Sequence, residues 1–384
     1  MSKQPLKGLI LKVCSRCNLD CTYCYMYSQG DMSFLKQPKF ISSDVIDQLC
    51  RRLTDYFARN RPESFELILH GGEPTLLGIG AFDQLLTRIS SETNNLVKLN
   101  YAVQSNGILL NDDWIKVFRK HQVGLGISID GPKHVNDLHR KDHKGNGSFD
   151  AVMKGLAVCN RHNYPFGLLG VQNPQAAPDE LYAFSKKAGA TNIDFLFPHH
   201  HHDKKPQQTG YADWWISLFD IWFYDNDDSK PNIRFLTQVI VNCLGLGQGF
   251  DMLGQQTNDY LVVETDGSIE TVDAMKICGD GFTKENYHLK THNFEQAMQS
   301  PLMHIYHNGH HNLSALCQNC PVVSVCGGGF LPHRFSRELQ FDNPSVYCSD
   351  LKRIIHYIQH ALIDYLSDEA VLQAGLQKFE VFAD

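Results

Sequence analysis

Three cysteines near the start of the chain have the spacing of a metal-binding loop. Cys17, Cys21 and Cys24 follow the apolar run 6–13, and Tyr23 stands directly before the last of them. A cubane iron–sulfur cluster takes one thiolate per iron, so three cysteines on one loop leave one iron open to a ligand that is not protein. A zinc knuckle or a disulfide loop is the alternative, and Cys14 could supply the fourth ligand that zinc needs. The spacing favours a cluster with a reactive open iron.

A second group of cysteines lies near the end of the chain. Three of them form a CxxCxxxxxC run and a fourth follows at a distance: Cys317, Cys320, Cys326 and Cys348. Four thiolates can close either a zinc site or a second cubane cluster, and the spacing alone leaves both open. Cys50, Cys159 and Cys243 stand singly in helix-like patterns, so we expect them to be small buried apolar residues.

The composition limits the class of the protein and its partners. The 384 residues are 42% hydrophobic, which is enough for one large domain and a smaller one. The formal charge of −7, without a long basic run, argues against nucleic acid as a partner. No apolar run is long enough for a membrane span or a secretory signal, so we expect no membrane partner and a cytoplasmic location. Thiols stay reduced in that compartment, and the 12 cysteines then indicate metal binding.

Short β-branched runs alternate with amphipathic stretches from Leu6 to Pro198, which is the pattern of repeated βα units. The predicted strands are 6–13, 65–70, 98–104, 124–129, 165–171 and 192–197. The predicted helices between them are 43–59, with Ser43 as N-cap, 81–93, 111–121, 149–160 and 178–188. Six such units do not close an eight-stranded barrel. We therefore expect an α/β fold, a partial (β/α)6 barrel whose active site lies at the C-terminal ends of the strands.

The second half of the chain has a different pattern. Helices are predicted over 211–224 and 232–246. The dipeptide Asp266-Gly267 between two β-branched runs predicts a hairpin with strands 260–264 and 268–272. An amphipathic helix is predicted over 349–366.

Motifs at the strand ends resemble those of the radical S-adenosylmethionine (SAM) superfamily. The segment Gly71-Gly72-Glu73-Pro74 follows the second strand, and with the CxxxCxxC loop it carries the resemblance. By itself it would be an ordinary Gly-Gly-Pro turn. The resemblance implies a [4Fe-4S] cluster on Cys17, Cys21 and Cys24 whose open iron chelates SAM. Reductive cleavage of SAM then yields a 5′-deoxyadenosyl radical that abstracts hydrogen.

The same resemblance implies which residues contact SAM. It assigns Glu73 to the amino group, the segment Gln104-Ser105-Asn106-Gly107 to the methionyl part, and the segment Ser128-Ile129-Asp130-Gly131 with Arg140 to the carboxylate. A guanidinium suits a carboxylate because it offers two parallel donors. The implied contacts are Tyr23, Gly71, Gly72, Glu73, Ser105, Asn106, Ser128, Asp130, Arg140 and, for the adenine, Leu196. Taken singly, Arg140 would be a solvated charge and Leu196 a core residue.

The C-terminal cysteines resemble part of a SPASM domain, which holds auxiliary clusters in peptide-modifying radical SAM enzymes. The resemblance assigns Cys317, Cys320, Cys326 and Cys348 to one auxiliary [4Fe-4S] cluster. The ligand positions of an inner auxiliary cluster fall on Val272 and Phe330, so a second auxiliary cluster is not expected unless Cys243 or Cys278 contributes. The implied domains are a partial barrel over 1–205, a helical bridge over 206–255, a SPASM-like domain over 256–350 and a C-terminal helix over 351–384.

Further segments resemble the FxsB- and XyeB-type peptide maturases. They are Leu11-Lys12-Val13, 195–199, 263–267 with Val272-Asp273, 320–323 and 341–348. The resemblance implies a three-residue cyclophane, in which an aromatic ring carbon is joined to the β-carbon of the residue two positions later. The implied partners are a ribosomally made precursor peptide and an external electron donor such as flavodoxin or ferredoxin. Because the chain begins close to its first strand, no N-terminal leader-binding domain is expected.

Such a crosslink needs a group that accepts the substrate's proton, and the sequence offers several. The catalytic candidates are Asp273, His199, Asp203 and Cys278, with Asp194 as a further carboxylate. The run His199–His202 either binds a metal or forms a polar loop. Two other functions stay open: a different SPASM activity, namely a formylglycine-forming sulfatase maturase or a thioether-forming peptide maturase, and a zinc-stabilised binding scaffold without redox chemistry.

Overall fold

The computed structural model describes residues 6–93, 96–247 and 249–376. The ends of the predicted first and last domains, residues 1–5 and 377–384, lie outside this range. The β-strands are β1 Gly8–Cys14, β2 Ser64–Gly71, β3 Lys98–Ser105, β4 Gly124–Ser128, β5 Gly167–Val171, β6 Asn192–Leu196, β7 Asn232–Ile233, β8 Gly249–Phe250, β9 Leu253–Gly254, β10 Tyr260–Val263, β11 Ser268–Glu270 and β12 Tyr287–His288.

The α-helices are α1 Ser43–Asn60, α2 Ile79–Thr93, α3 Asp112–His121, α4 Lys133–His139, α5 Phe149–Arg161, α6 Pro178–Ala188, α7 Tyr211–Phe223, α8 Arg234–Cys243, α9 Phe294–Ala297, α10 Pro301–His307, α11 Ala315–Gln318, α12 Val323–Cys326, α13 Cys348–Tyr365 and α14 Asp368–Ala374. The alternation of strand and helix up to β6 confirms the predicted α/β class. Within the described residues, no helix is both long and apolar enough to cross a membrane.

The chain forms two compact units. The first comprises the residues up to Leu169 together with Asp259–His307. In it, parallel pairing joins β1 to β2, β2 to β3, β3 to β4, and β4 to the part of β5 before Gly170. The predicted hairpin is present as β10 and β11, which pair antiparallel. Its strand β10 also pairs parallel with β1, Leu9 lying opposite Leu261, so β1 has a neighbour on each side.

Two helices of the first unit, α1 and α3, begin at a residue whose side chain caps them. Ser42, and not the predicted Ser43, is the N-cap of α1, because its hydroxyl accepts the Val45 N–H at 3.3 Å. The side chain of Asn111 caps α3 in the same way, accepting from Asp113 and Trp114. Buried apolar residues at helical spacing then pack these helices on the sheet.

The second unit comprises Gly170–Asn258 and the residues from Asn308 onward. Its strands β6 and β7 pair parallel, and its helices α7 and α13 pack on each other. The prediction of one helix over 232–246 was wrong at its start, because Asn232 and Ile233 form β7 and the helix begins at Arg234. Ile233 is fully buried in this pairing, and burial in the sheet outweighs local helical preference.

Candidate functional site

The cysteine loop between β1 and α1 brings Cys17, Cys21 and Cys24 together. All three are half-buried. Burial, and then the negative charges of Glu73, Cys21 and Cys24, raise the pKa of Cys17 to about 12. Burial and the charge of Cys21 likewise raise the pKa of Cys24 to about 11. Three thiols that oppose each other's ionisation are stable as thiolates only around a positive centre.

Cys14 differs from these three cysteines in its hydrogen bonding. It is fully buried at the end of β1, and its sulfur is bound within its own turn, donating to the backbone oxygen of Arg16 at 3.3 Å. Its pKa is raised chiefly by burial, and no other cysteine is among the main causes.

The segment after β2 is bound to this loop by its backbone. The Gly72 N–H donates to the Cys14 oxygen at 2.8 Å, and the Glu73 N–H donates to the Arg16 oxygen at 3.0 Å. A β-carbon on Gly71 would lie 2.1 Å from the Cys14 oxygen, and one on Gly72 would lie 2.2 Å from the Tyr27 hydroxyl. Both glycines are therefore required by the close approach of two protein segments.

Glu73 is buried and its carboxylate is hydrogen-bonded on both oxygens. Oε1 accepts from the Thr75 N–H at 2.9 Å and the Ser105 hydroxyl at 2.8 Å, and Oε2 accepts from the Asn106 N–H at 2.7 Å. Burial raises the pKa of Glu73, and these hydrogen bonds oppose the rise. The carboxylate thus joins the end of β2 to the end of β3.

The segments after β3 and in β4 each contact a neighbouring part of the first unit. Asn106 donates through Nδ2 to Asn18 at 2.7 Å, and the same nitrogen lies 3.9 Å from the sulfur of Cys17. The Ser128 hydroxyl accepts from the side chain of Gln104 at 2.9 Å. Asn106 therefore stands against the cysteine loop, while Ser128 is tied to the neighbouring strand.

Tyr23, Asp130 and Arg140 form one hydrogen-bonded group, in which Asp130 and Arg140 are buried and Tyr23 is half-buried. The Tyr23 hydroxyl lies 2.9 and 2.7 Å from the two oxygens of Asp130, and Arg140 donates to that hydroxyl at 3.0 Å. Although burial opposes it, the charges of Tyr23, Cys21 and Asp130 raise the pKa of Arg140 and keep it cationic. Its Nε is buried without a hydrogen-bond partner among the described residues. A buried cation with an unused donor, charge-coupled to Cys21, fits a ligand carboxylate.

Asp273 lies in a second polar group of the same unit. Lys12 donates to Asp273 within a buried ion pair, and Lys12 Nζ also lies 2.9 Å from His70 Nδ1. Tyr25 hydrogen-bonds the same carboxylate. Although burial opposes it, the positive charges of Lys12 and His70 hold the pKa of Asp273 well below its usual range. Burial and Lys12 lower the pKa of His70 to about 4.

A second ion-pair network fixes the turn that carries Asp273. Lys276 Nζ lies 2.6 Å from Glu264 and 3.8 Å from Glu270, and all three side chains are buried. These bonds hold residues 273–278 against the β10–β11 hairpin. Cys278, the last residue of that turn, is buried as well.

In the second unit, the four C-terminal cysteines line one cavity of about 100 Å³ with otherwise mainly apolar walls. Burial, and then the charges of Cys348, Cys317 and Cys320, raise the pKa of Cys326 to about 12. Four mutually repelling thiols around a common space fit a [4Fe-4S] cluster. Among the described residues, no three His, Cys, Asp or Glu side chains form a group that could hold a single metal ion.

The other residues of the second unit that the sequence analysis proposed as site residues do not line the four-cysteine cavity. His199 Nδ1 lies 3.4 Å from His333 Nε2, and its ring packs near Phe330. Asp203 is exposed and accepts the Arg337 N–H at 2.9 Å. The Leu196 oxygen accepts the Gln172 N–H at 2.8 Å. Their predicted roles stay predictions.

Sequence reasoning missed Lys12, His70, Tyr25 and Lys276. Two of them had a signal in the sequence: Lys12 interrupts the apolar strand β1, and Lys276 interrupts the apolar turn that ends at Cys278. Because a buried lysine requires a partner, each of these lysines could have been used to predict a nearby carboxylate.

Comparison with known proteins agrees with this geometry. Residues 11–175 match the family model of the radical SAM superfamily, so this part of the chain is a radical SAM domain. The match confirms SAM and a [4Fe-4S] cluster as its cofactors, and the cysteine loop with Glu73 and Arg140 fits them.

Relatives extend over nearly the whole chain. The cysteine-type anaerobic sulfatase-maturating enzyme of Clostridium novyi (strain NT) is 26% identical over 91% of this chain and 94% of its own. The serine-type anaerobic sulfatase-maturating enzyme of Bacteroides thetaiotaomicron is 24% identical over 96% and 93%. The solved structure of native anSMEcpe with bound AdoMet and the Kp18Cys peptide has a TM-score of 0.81 at 24% identity, covering 94% and 99%. The chain shares this fold.

Proposed function

We propose that this protein is a radical SAM maturase that removes a hydrogen atom from the β-carbon of one residue in a peptide or protein substrate. The observation that carries the proposal is the convergence of the cysteine loop, Glu73 and Arg140 in the unit that also holds the Asp273 group. SAM bound there supplies the hydrogen-abstracting radical after one-electron reduction. The relatives of similar length are named as maturases of a protein, which supports a polypeptide substrate.

The reaction that the relatives favour is the oxidation of a cysteine or serine side chain to formylglycine. The two curated relatives are named as anaerobic sulfatase-maturating enzymes, one cysteine-type and one serine-type, and their matches cover more than nine-tenths of this chain. The sequence alone ranked this reaction behind a cyclophane crosslink. The comparisons reverse that order.

A second candidate, the cyclophane crosslink, is favoured by two side chains. Val272 and Phe330 stand at the positions where the full SPASM pattern has cysteines, and both are buried apolar residues. Neither can bind iron, which supports one auxiliary cluster, held by the four-cysteine cavity. Because the cysteine set is incomplete at these two positions, the test below includes a peptide substrate for the crosslinking reaction.

Asp273 is proposed to accept the proton that the substrate loses in either reaction. Its ion pair with Lys12 keeps it as a carboxylate at neutral pH, so it can accept a proton without first losing one. The same ion pair makes it a weak base, which suits it to a substrate radical whose proton is far more acidic than that of the parent residue. The Tyr25 hydrogen bond orients the carboxylate.

The test is an anaerobic reaction of reduced holoenzyme with SAM and two peptides, one with a cysteine or serine and one with an aromatic residue two positions before an aliphatic one. Mass spectrometry distinguishes an aldehyde from a ring-to-β-carbon bond. We expect Asp273→Asn to release 5′-deoxyadenosine but little product, whereas Asp113→Asn on the exposed start of α3 behaves as wild type. Full product formation by Asp273→Asn would remove Asp273 from this role, and modification of neither peptide would contradict the proposed substrate class.

A further inference from the structure

A large groove in the second unit is lined by basic side chains. It encloses about 1090 Å³ and runs beside α13 from Cys348 to His360. We call it the basic groove, and its defining residues are His202, Lys205, Lys352, Arg353, His356 and His360. Lys352, His356 and His360 recur every four residues, so they lie along one face of the helix.

The charge of the basic groove contrasts with that of the chain. The whole chain has a net charge of −7, yet the lining contains Lys205, Lys352 and Arg353 against one acidic residue, Asp350. Asp213 forms an exposed ion pair with Arg353 at its edge. Burial lowers the pKa of His356. Lys205, Lys352 and Arg353 supply fixed positive charge. Such a surface attracts an acidic partner.

The basic groove adjoins the four-cysteine cavity. Ser345, Cys348 and Lys352 line both spaces. At the cavity, Leu316 is 74% exposed and offers an apolar contact. A partner seated in the groove therefore comes within one side chain of a cysteine that we assign to the auxiliary cluster.

We propose that the basic groove docks an acidic one-electron carrier protein of the flavodoxin or ferredoxin class, which exchanges electrons with the auxiliary cluster. One electron passes from the reduced cluster to the oxidised carrier. No bond forms or breaks in this step, and the proton from the substrate goes to Asp273. The inference rests on the proposed function, because it requires the auxiliary cluster.

The size and position of the groove favour a redox protein over a small ligand. Sites for small molecules usually enclose roughly 300–1,000 Å³. This groove encloses about 1090 Å³, and its lining includes several cationic side chains. Complexes of redox proteins are characteristically small, weak and steered by charge. Electron exchange requires a position beside a cluster ligand, whereas peptide binding does not.

The test measures the carrier itself. Reduced, desalted holoenzyme is mixed with oxidised flavodoxin in a stopped-flow instrument, and the affinity for flavodoxin is measured by calorimetry. We expect Lys205→Glu/Arg353→Glu to lower the second-order rate constant about tenfold or more at low salt, and the difference to vanish near 0.5 M salt, where charges are screened over about 4 Å. The control for charge reversal elsewhere on the surface is Lys154→Glu on the exposed face of α5, which changes the net charge by half as much. We expect it to stay within about twofold of wild type.

Three results would overturn the docking proposal or distinguish its failure from the failure of the proposed function. Equal rates and affinities for the double variant and Lys154→Glu would remove the groove as the docking site. A weaker affinity for the substrate peptide with unchanged flavodoxin exchange would make the groove a peptide site, which also overturns the inference. Salt-sensitive flavodoxin binding by a wild-type protein that modifies no peptide would support the groove and contradict the proposed function. Iron content and circular dichroism of each variant verify the fold and the clusters.

Discussion

Arg140 follows α4 and donates to Tyr23, while its Nε has no hydrogen-bond partner among the described residues. Replacing it by lysine keeps the charge but removes the planar pair of donors. We expect Arg140→Lys to raise the dissociation constant for SAM about 10- to 100-fold, measured by equilibrium dialysis of the reconstituted protein.

Arg119→Lys is the control for this substitution. Among the described residues, the guanidinium of Arg119 donates to a backbone oxygen, that of His162, at the surface. Unchanged SAM affinity in Arg140→Lys, with equal iron content in both variants, would exclude Arg140 from the SAM site.

His70 gives the first unit a defined sensitivity to acid. Its pKa is about 4 in the folded protein, below the 6.5 of an unfolded chain, because burial and Lys12 disfavour its cation. Between these values the unfolded chain binds a proton that the folded chain does not, so stability falls as pH drops from about 6.5 to 4, by up to about 3 kcal/mol. We expect the free energy of unfolding of His70→Gln to decline less over this pH range, because the variant lacks the titrating imidazole.

Urea unfolding at pH 7.5 and pH 5 checks the prediction through the difference between the two free energies of unfolding. The control is His311→Gln, an exposed histidine in the second unit. If the two variants lose stability equally with acid, His70 is not the cause.

At the scale of elements, the approach of β2 to the cysteine loop depends on Gly72. A β-carbon there would lie 2.2 Å from the Tyr27 hydroxyl and 2.3 Å from the Arg16 oxygen. We expect Gly72→Ala to separate the segment after β2 from the loop and to lower both the iron content and the thermal midpoint, the stability loss being about 2 kcal/mol or more.

Gly80→Ala is the matched control, because Gly80 lies in α2 with no atom near its missing β-carbon. This change should stabilise the helix by about 0.5–1 kcal/mol. A Gly72→Ala protein with normal iron content would show that the loop tolerates the displacement.

The elements that the sequence predicted best are those with strong periodicity. Helix α6 has the predicted bounds and β3 differs by one residue, because apolar spacing and flanking turn residues are local information. Helix α4 was missed, since Lys133–His139 is short and mostly polar. The pairing of β10 with β1 was missed for another reason: local periodicity does not specify a distant partner strand.

At the scale of the whole molecule, the two cysteine groups predict the metal content. A chain with one cluster on the N-terminal loop and one in the four-cysteine cavity should contain about eight irons and eight sulfides after anaerobic purification. We expect Cys317→Ala/Cys348→Ala to retain about four of each and to keep SAM cleavage while losing coupled product. The measurement is iron and sulfide analysis with electron paramagnetic resonance.

Three other results of the metal analysis would each change the assignment of the clusters. Zinc alone would support the scaffold function and contradict the enzyme. About twelve irons would show a second auxiliary cluster, for which Cys278 is the first ligand to test. Loss of all iron in the double variant would show that the two sites are not independent.

The candidate site was predictable in its cysteines and in the residues at strand ends, because parallel strands bring their C-terminal ends to one edge. The neighbours of Asp273 were not predictable as a group. Lys12, His70 and Asp273 come from three distant parts of the chain, and only the folded structure places one lysine between a histidine and a carboxylate.

The pairing of β10 with β1 also affects how the protein is made. The paired residues Leu9 and Leu261 are separated by about 250 positions, so one edge of the first strand stays unpaired on the ribosome until most of the chain has been translated. During that interval the nascent chain presents an open apolar strand edge next to unmetallated thiols. Productive synthesis in a living cell should therefore depend on chaperone protection and on timely delivery of iron and sulfide.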